Sequence, residues 1–220
     1  MEPEATCLKE TAEPNGPHAL RLGFEERLMS VCQIAPENEV TLKNLLTAYE
    51  SESNAHTMLA AYAGKADSDG LHAAASLFRA TARSEQIQAG NNARVIRQLG
   101  GELEAQIQPV EVKTTLENLT AALVNGAYGI DSMYPRFLAQ NRSTGNSAAQ
   151  TLIWALEAER TNARLFSEGI GQMGAVDTDS LASTPVDFFV RPVCGCVSKT
   201  PEPARCWMCN RFCSTFETIQ

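Results

Sequence analysis

Histidine is scarce in this chain: 220 residues hold only His18, His56 and His72. Basic residues are also in deficit, with 18 Lys and Arg against 26 Asp and Glu and a net charge of −8. Such an acidic chain does not read as a binder of nucleic acid or of a membrane surface. No stretch reaches 18 apolar residues, so no helix is expected to span a bilayer. The first residues, MEPEATCLKETAEP, lack the basic and then apolar run of a signal peptide. A cytoplasmic, reducing location is the expectation. Proline is missing between Pro36 and Pro109, which leaves that whole stretch free to be long helix.

What is present is unevenly spread. Residues 1–40 carry eight acids (Glu2, Glu4, Glu10, Glu13, Glu25, Glu26, Glu37, Glu39) against three bases (Lys9, Arg21, Arg27), so this stretch holds −5 of the −8. Five of the seven cysteines (Cys194, Cys196, Cys206, Cys209, Cys213) fall in the last 27 residues. In a reducing compartment such a tight cluster reads as a metal site before a disulfide framework. The length suits one domain plus a small module. The divisions expected are an acidic, partly disordered extension over 1–38, a helical domain over 39–170, a polar linker over 171–187 and a cysteine module over 188–220.

Four segments show helical period. Leu42, Leu45, Tyr49, Glu52, His56, Leu59 and Ala63 mark the first, with Asn38 or Thr41 as cap and Gly64 as its end. The second runs from Leu71 through Phe78, Glu85, Gln88 and Asn92 to Leu99, stopped by Gly100-Gly101. The third runs Leu116, Leu119, Leu123, Gly126, Ile130, Met133, Phe137, and the fourth Ala148, Leu152, Ala155, Glu159, Asn162, Phe166, ending near Gly169. Leu42-Lys43-Asn44-Leu45 matches Leu116-Glu117-Asn118-Leu119 at an offset of 74, and Glu85-x-x-Gln88-Ala89 matches Glu159-x-x-Asn162-Ala163 at the same offset. One shared offset for two matches predicts a duplicated helical hairpin, hence an all-α four-helix bundle.

Glu52, His56, Glu85, Gln88, Glu159 and Asn162 all fall on the inward stripes. Buried carboxylates at one level need protons, cationic partners or a metal. Glu52 and His56 stand one turn apart on one face. Glu85 with Gln88, and Glu159 with Asn162, have the i, i+3 spacing of the Glu-x-x-His pairs of di-iron carboxylate bundles, with an amide in place of each histidine.

At this point the sequence resembles the rubrerythrin family, a ferritin-like di-iron bundle followed by a rubredoxin-like iron–thiolate module. The resemblance rests on NLLTAYESESNAH (44–56), LFRATARSEQIQA (77–89), SMYPRF (132–137), ALEAERTNARLF (155–166) and VCGCVSKTPEPARCWMC (193–209). It implies that Glu52 matches the first-helix ligand, and that Glu85 and Glu159 match the glutamates of the two Glu-x-x-His motifs. Gln88 and Asn162 stand where the family has histidine, and Gly126 and Gly129 where its third helix has glutamate. Four of seven implied ligands are therefore absent, and the glycines are expected to leave a gap. Two readings stand. One is a remodelled one-metal site from Glu52, His56, Glu85 and Glu159. The other is a metal-free layer in which the carboxylates bond Gln88, Asn162, Tyr49 or Tyr128.

Cys206-Trp-Met-Cys209 has the spacing that turns two sulfurs onto one metal. Against the family pattern Cys-x-x-Cys-Gly, Arg191 takes the first position while Cys194-Gly195 keeps the second half. The knuckle ligands expected are Cys194, Cys196, Cys206 and Cys209, with Cys213 as the other candidate for the fourth sulfur, or a three-ligand site. Iron or zinc would suit such thiolates, and a zinc staple would hold a module with little core of its own. The resemblance implies an iron-associated oxidoreductase or electron-transfer protein, in a family that reduces hydrogen peroxide and whose bundles commonly pair, so a homodimer with an unidentified redox partner is expected. The alternative is a non-catalytic structural or interaction protein that keeps only a metal knuckle.

Overall fold

The computed structural model describes residues 36–141, 146–174, 183–201, 205–211 and 216–220. The expected acidic extension, Cys7, Cys32, His18 and Cys213 lie outside these residues.

Four long helical arms make two hairpins. Helix α1 (Pro36–Ser68) packs on α2 (His72–Gln98). Helix α3 (Thr115–Tyr128) passes through a π-turn (Gly129–Met133) into the short α4 (Tyr134–Gln140), and this arm packs on α5 (Asn146–Gly174). The repeat offset thus relates one hairpin to the other.

The chain stops are local chemistry. Gly70 and Gly100 adopt φ of +73° and +78°, and each closes its helix with paired backbone bonds. Leu71 N–H donates to Ala66 and Gly70 N–H to Asp67, as Gly101 N–H donates to Ile96 and Gly100 N–H to Arg97. Glycine reaches this left-handed turn without steric cost. Gly64 does not end α1: it sits inside the helix, and the stop waits for Gly70. Likewise α5 runs past Gly169, which lies against Leu77 and Leu119. Thr114 starts α3 with a reciprocal capping box to Glu117.

The crossover 99–114 has no regular structure and is strapped along α1. Asn54 donates to the Gln106 carbonyl (3.0 Å) and accepts from Gln108 N–H (2.8 Å), and Glu50 accepts from Gln106 N–H (3.2 Å).

Two apolar clusters fill the bundle. One gathers Tyr62, Phe78, Leu119 and Phe166, the other Leu45, Ile96, Tyr134, Phe137 and Leu152. Glu52, Glu85 and Glu159 lie between them, at the level where the helices change from one cluster to the other.

The cysteine module is a three-stranded antiparallel sheet of β1 (Phe188–Val190), β2 (Val197–Ser198) and β3 (Glu217–Ile219), in the order β2-β1-β3. Val190 pairs with Val197 on one side and Glu217 on the other. Its apolar face is not a separate core, because Phe188, Val190 and Val197 join the first bundle cluster. Arg83 on α2 grips Glu217 through two bonds (2.5 and 2.7 Å), and Asn91 donates to the Val193 carbonyl (3.0 Å). Among the described residues no helix is long and apolar enough to cross a membrane.

Candidate metal centres

Glu52 from α1, Glu85 from α2 and Glu159 from α5 bring one carboxylate oxygen each within 4.8 Å of one another. All three are buried, at 1 %, 3 % and 9 % exposure. Tyr134 donates its hydroxyl to Glu52 Oε1, and Asn162 Nδ2 donates to Glu85 Oε1 at 2.8 Å. Glu52 Oε2 and Glu85 Oε2 accept no bond from a surrounding N–H or O–H donor, and the two carboxyls lie close enough to share a proton. The groups that act on the three carboxyls are each other, Tyr134 and Asn162, and none is a cation. Burial therefore pushes Glu52 up to about 7. Burial and the neighbouring carboxylate drive Glu85 and Glu159 well above the usual carboxylate range.

The two glycines do not leave a gap. A Cβ at Gly126 would stand 3.0 Å from Glu159 Oε2, and one at Gly129 would stand 3.2 Å from Glu159 Oε1. The Glu159 carboxyl occupies the room that the missing side chains give up. Tyr128, expected as a partner of the carboxylates, is 58 % exposed, and Tyr49, the other, packs against the Leu45 cluster. The phenol that serves the site is Tyr134, which sequence reasoning missed. Its signal was available: a tyrosine on the same stripe as Ile130, Met133 and Phe137 is placed for burial and then needs an acceptor for its hydroxyl.

His56 is not among the converging atoms. Its Nδ1 donates to the Ala82 carbonyl (2.9 Å), which corrects the expectation that it joins the three glutamates. Gln88 also turns away. Its Nε2 donates to the Cys194 carbonyl (2.6 Å) and, more weakly, to that of Trp154 (3.5 Å).

In the module, the sulfurs of Cys194, Cys206 and Cys209 lie within 4.8 Å of one another, with 3.6 Å between Cys194 and Cys206. Cys196 is buried yet is not one of this group, which corrects the expectation that it supplies the fourth sulfur. Burial pushes the Cys194 and Cys209 thiols up. Burial acts on Cys206 in the same sense, but backbone bonds at Cys209 and Met208 outweigh it and hold this thiol below its ordinary value. Arg191, at 2 % exposure, lays its guanidinium 4.7 Å from the centre of the Phe216 ring.

The family model described as Rubrerythrin matches residues 43–169. The chain belongs to the rubrerythrin family. It is 31 % identical over 186 residues to nigerythrin of Nitratidesulfovibrio vulgaris, covering 80 % of this chain and 85 % of that protein. It is 29 % identical over 176 residues to Rubrerythrin-2 of Clostridium acetobutylicum, covering 79 % and 94 %. Its fold superposes on nigerythrin solved in a fully reduced, all-ferrous state with a TM-score of 0.70 at 28 % identity, over 81 % of this chain and 86 % of that one. A bacterioferritin of Mycobacterium tuberculosis, at 18 % identity and a TM-score of 0.60, shares the fold over 66 % of this chain and 93 % of that one.

Both clusters can be set against the ligand pattern that the resemblance implies. The bundle offers three carboxylates, the Asn162 amide bonded to Glu85, the Gln88 amide turned away to the module, and two glycines whose room Glu159 takes. That donor set does not fit two irons. Three carboxylates within 4.8 Å of one another are a donor set suited to a cation that prefers oxygen. Among the described residues the module brings together three sulfurs, and Arg191 stands at the place the resemblance assigns to a fourth, so these residues alone do not make a four-thiolate iron site.

Proposed function

We propose that this protein is an iron-associated oxidoreductase of the rubrerythrin family whose bundle centre is reduced to one cation held by Glu52, Glu85 and Glu159. One observation carries this reading. Three buried carboxylates stand within 4.8 Å with no cationic side chain among the groups that act on them. Buried carboxylates so close cannot all ionise unless a positive charge joins them. Iron, when bound, would supply a one-electron couple. The chain's own contribution is positional. Tyr134 fixes Glu52, Asn162 fixes Glu85, and the two glycines give Glu159 its room. The apolar clusters above and below exclude water from the layer.

A specific pair of bonds favours a second reading. The Tyr134 and Asn162 donors satisfy one oxygen each of Glu52 and Glu85 without any metal. With protons on the remaining carboxyls the layer closes as a metal-free polar network, and the protein becomes a non-catalytic structural or interaction member of its family.

Metal analysis of full-length protein, expressed and purified without oxygen, tests the two readings. Wild type is compared with a Glu52→Gln, Glu85→Gln, Glu159→Gln variant. The first reading expects one iron per chain that the variant lacks. Equal metal content in both supports the second reading. Two irons lost together in the variant overturn both. The expected homodimer remains part of the proposal and is tested by light scattering of the same sample.

A further inference from the structure

The module contains two chain reversals built by the same bonds. In one, Cys206 N–H donates to the Arg211 carbonyl (3.0 Å) and Asn210 N–H to the Cys206 carbonyl (2.8 Å). In the other, Arg191 N–H donates to the Cys196 carbonyl (3.0 Å) and Gly195 N–H to the Arg191 carbonyl (2.9 Å). The left-handed residue falls at the same step in each, Asn210 at φ +52° and Gly195 at φ +68°. The two reversals therefore align Arg191 with Cys206, Cys194 with Cys209, and Cys196 with Arg211.

This alignment decides which side chains face the metal position. Each reversal presents its first and fourth residues. Cys206 and Cys209 fill both places in one, and Cys194 fills the fourth place in the other. The remaining place is that of Arg191. Cys196 holds the register of Arg211, two residues beyond a ligand, and its sulfur does not join the other three. A cysteine merely shifted along the chain does not restore the site, because the bond pattern fixes the register.

We propose that the module is a three-thiolate metal site for a thiophilic divalent cation, whose fourth donor comes from outside the two knuckles. A tetrahedral ion with three protein ligands keeps a position for a small outside donor, as open zinc sites do. The inference does not rest on what the bundle holds.

Cobalt(II) tests this, because its sulfur charge-transfer band reports only thiolate-bound metal and is silent for cobalt held by carboxylates. Metal-free full-length protein is titrated with cobalt(II) without oxygen, together with R191C, C196S, C213S and C206S. The expected band intensities of wild type and R191C, at saturation, stand as three thiolates to four. C196S and C213S match wild type, C206S loses intensity, and added cyanide or azide shifts the wild-type spectrum but not that of R191C. Wild-type intensity equal to that of R191C overturns the proposal. So does a loss of intensity in C196S or C213S, and this arm stands even if R191C does not fold.

Discussion

Gln88 donates its side-chain amide to the Cys194 carbonyl at 2.6 Å, joining the helix that carries Glu85 to the knuckle that carries the sulfurs. Its repeat mate, Asn162, keeps an inward role and bonds Glu85. The two amides that replace histidine have thus divided their work. One orients a carboxylate, and the other seats the module. Gly195 completes this seat, since a Cβ there would stand 2.8 Å from Gln88 Nε2 and 3.1 Å from the Ser84 carbonyl.

Gly195→Ala is expected to destabilise the protein by about 2 kcal/mol or more, from left-handed strain and from contact with α2 backbone. Gln88→Ala leaves a buried carbonyl without its best donor, at a cost of about 1–3 kcal/mol. Denaturant unfolding followed by circular dichroism measures both. Neutral behaviour of Gly195→Ala would refute the close seating.

The Gly126 site makes a coupled prediction with Glu159. Alanine for glycine in a helix ordinarily gains about 1 kcal/mol. Here the new Cβ would meet Glu159 Oε2 at 3.0 Å. Gly126→Ala is therefore expected to show the full gain in a Glu159→Ala background and little or none in wild type. A double-mutant cycle on the metal-free protein reads the difference, and additive effects would contradict the carboxyl's placement.

The metal-free protein is expected to lose stability as pH rises through the range that Glu52 titrates. Its folded-state value is raised from 4.5 to about 7, so the native state holds a proton that the unfolded chain releases earlier. That contribution is fully present below about 4.5 and is gone above about 7, with an upper bound of about 3 kcal/mol. Asp67 and Glu217 are shifted downward by His72 and Arg83, so they act in the opposite sense and only at lower pH. Unfolding midpoints of wild type and Glu52→Gln across pH 5 to 8 check this. The variant's profile is expected to be the flatter one.

Much of this architecture was legible in the sequence. Helical period found the four arms, and the offset of 74 paired Glu85 with Glu159 and placed Gly126 opposite Glu52. What failed to read has physical causes. Period reports which face a residue takes and not the height it reaches, so His56 looked like a ligand although the Ala82 carbonyl holds it. Tyr49 and Tyr128 were the phenols expected at the carboxylates, whereas the one that reaches them, Tyr134, follows a π-turn that no regular period shows. Gly64 read as the end of the first helix, but the backbone bonds that close it form at Gly70. In the module, spacing alone made Cys196 as good a ligand as any. The resemblance already put Arg191 at the first ligand position, and the bond pattern of the two reversals gives it the register of Cys206.

The proposal's central point is that the bundle holds one cation, between Glu52, Glu85 and Glu159. Anomalous scattering at the iron edge, from crystals of protein purified without oxygen, tests it most directly. The account predicts a single peak bounded by Glu52, Glu85 and Glu159. Two peaks in the bundle, at the roughly 3.5–4 Å separation of two-metal sites, would contradict it.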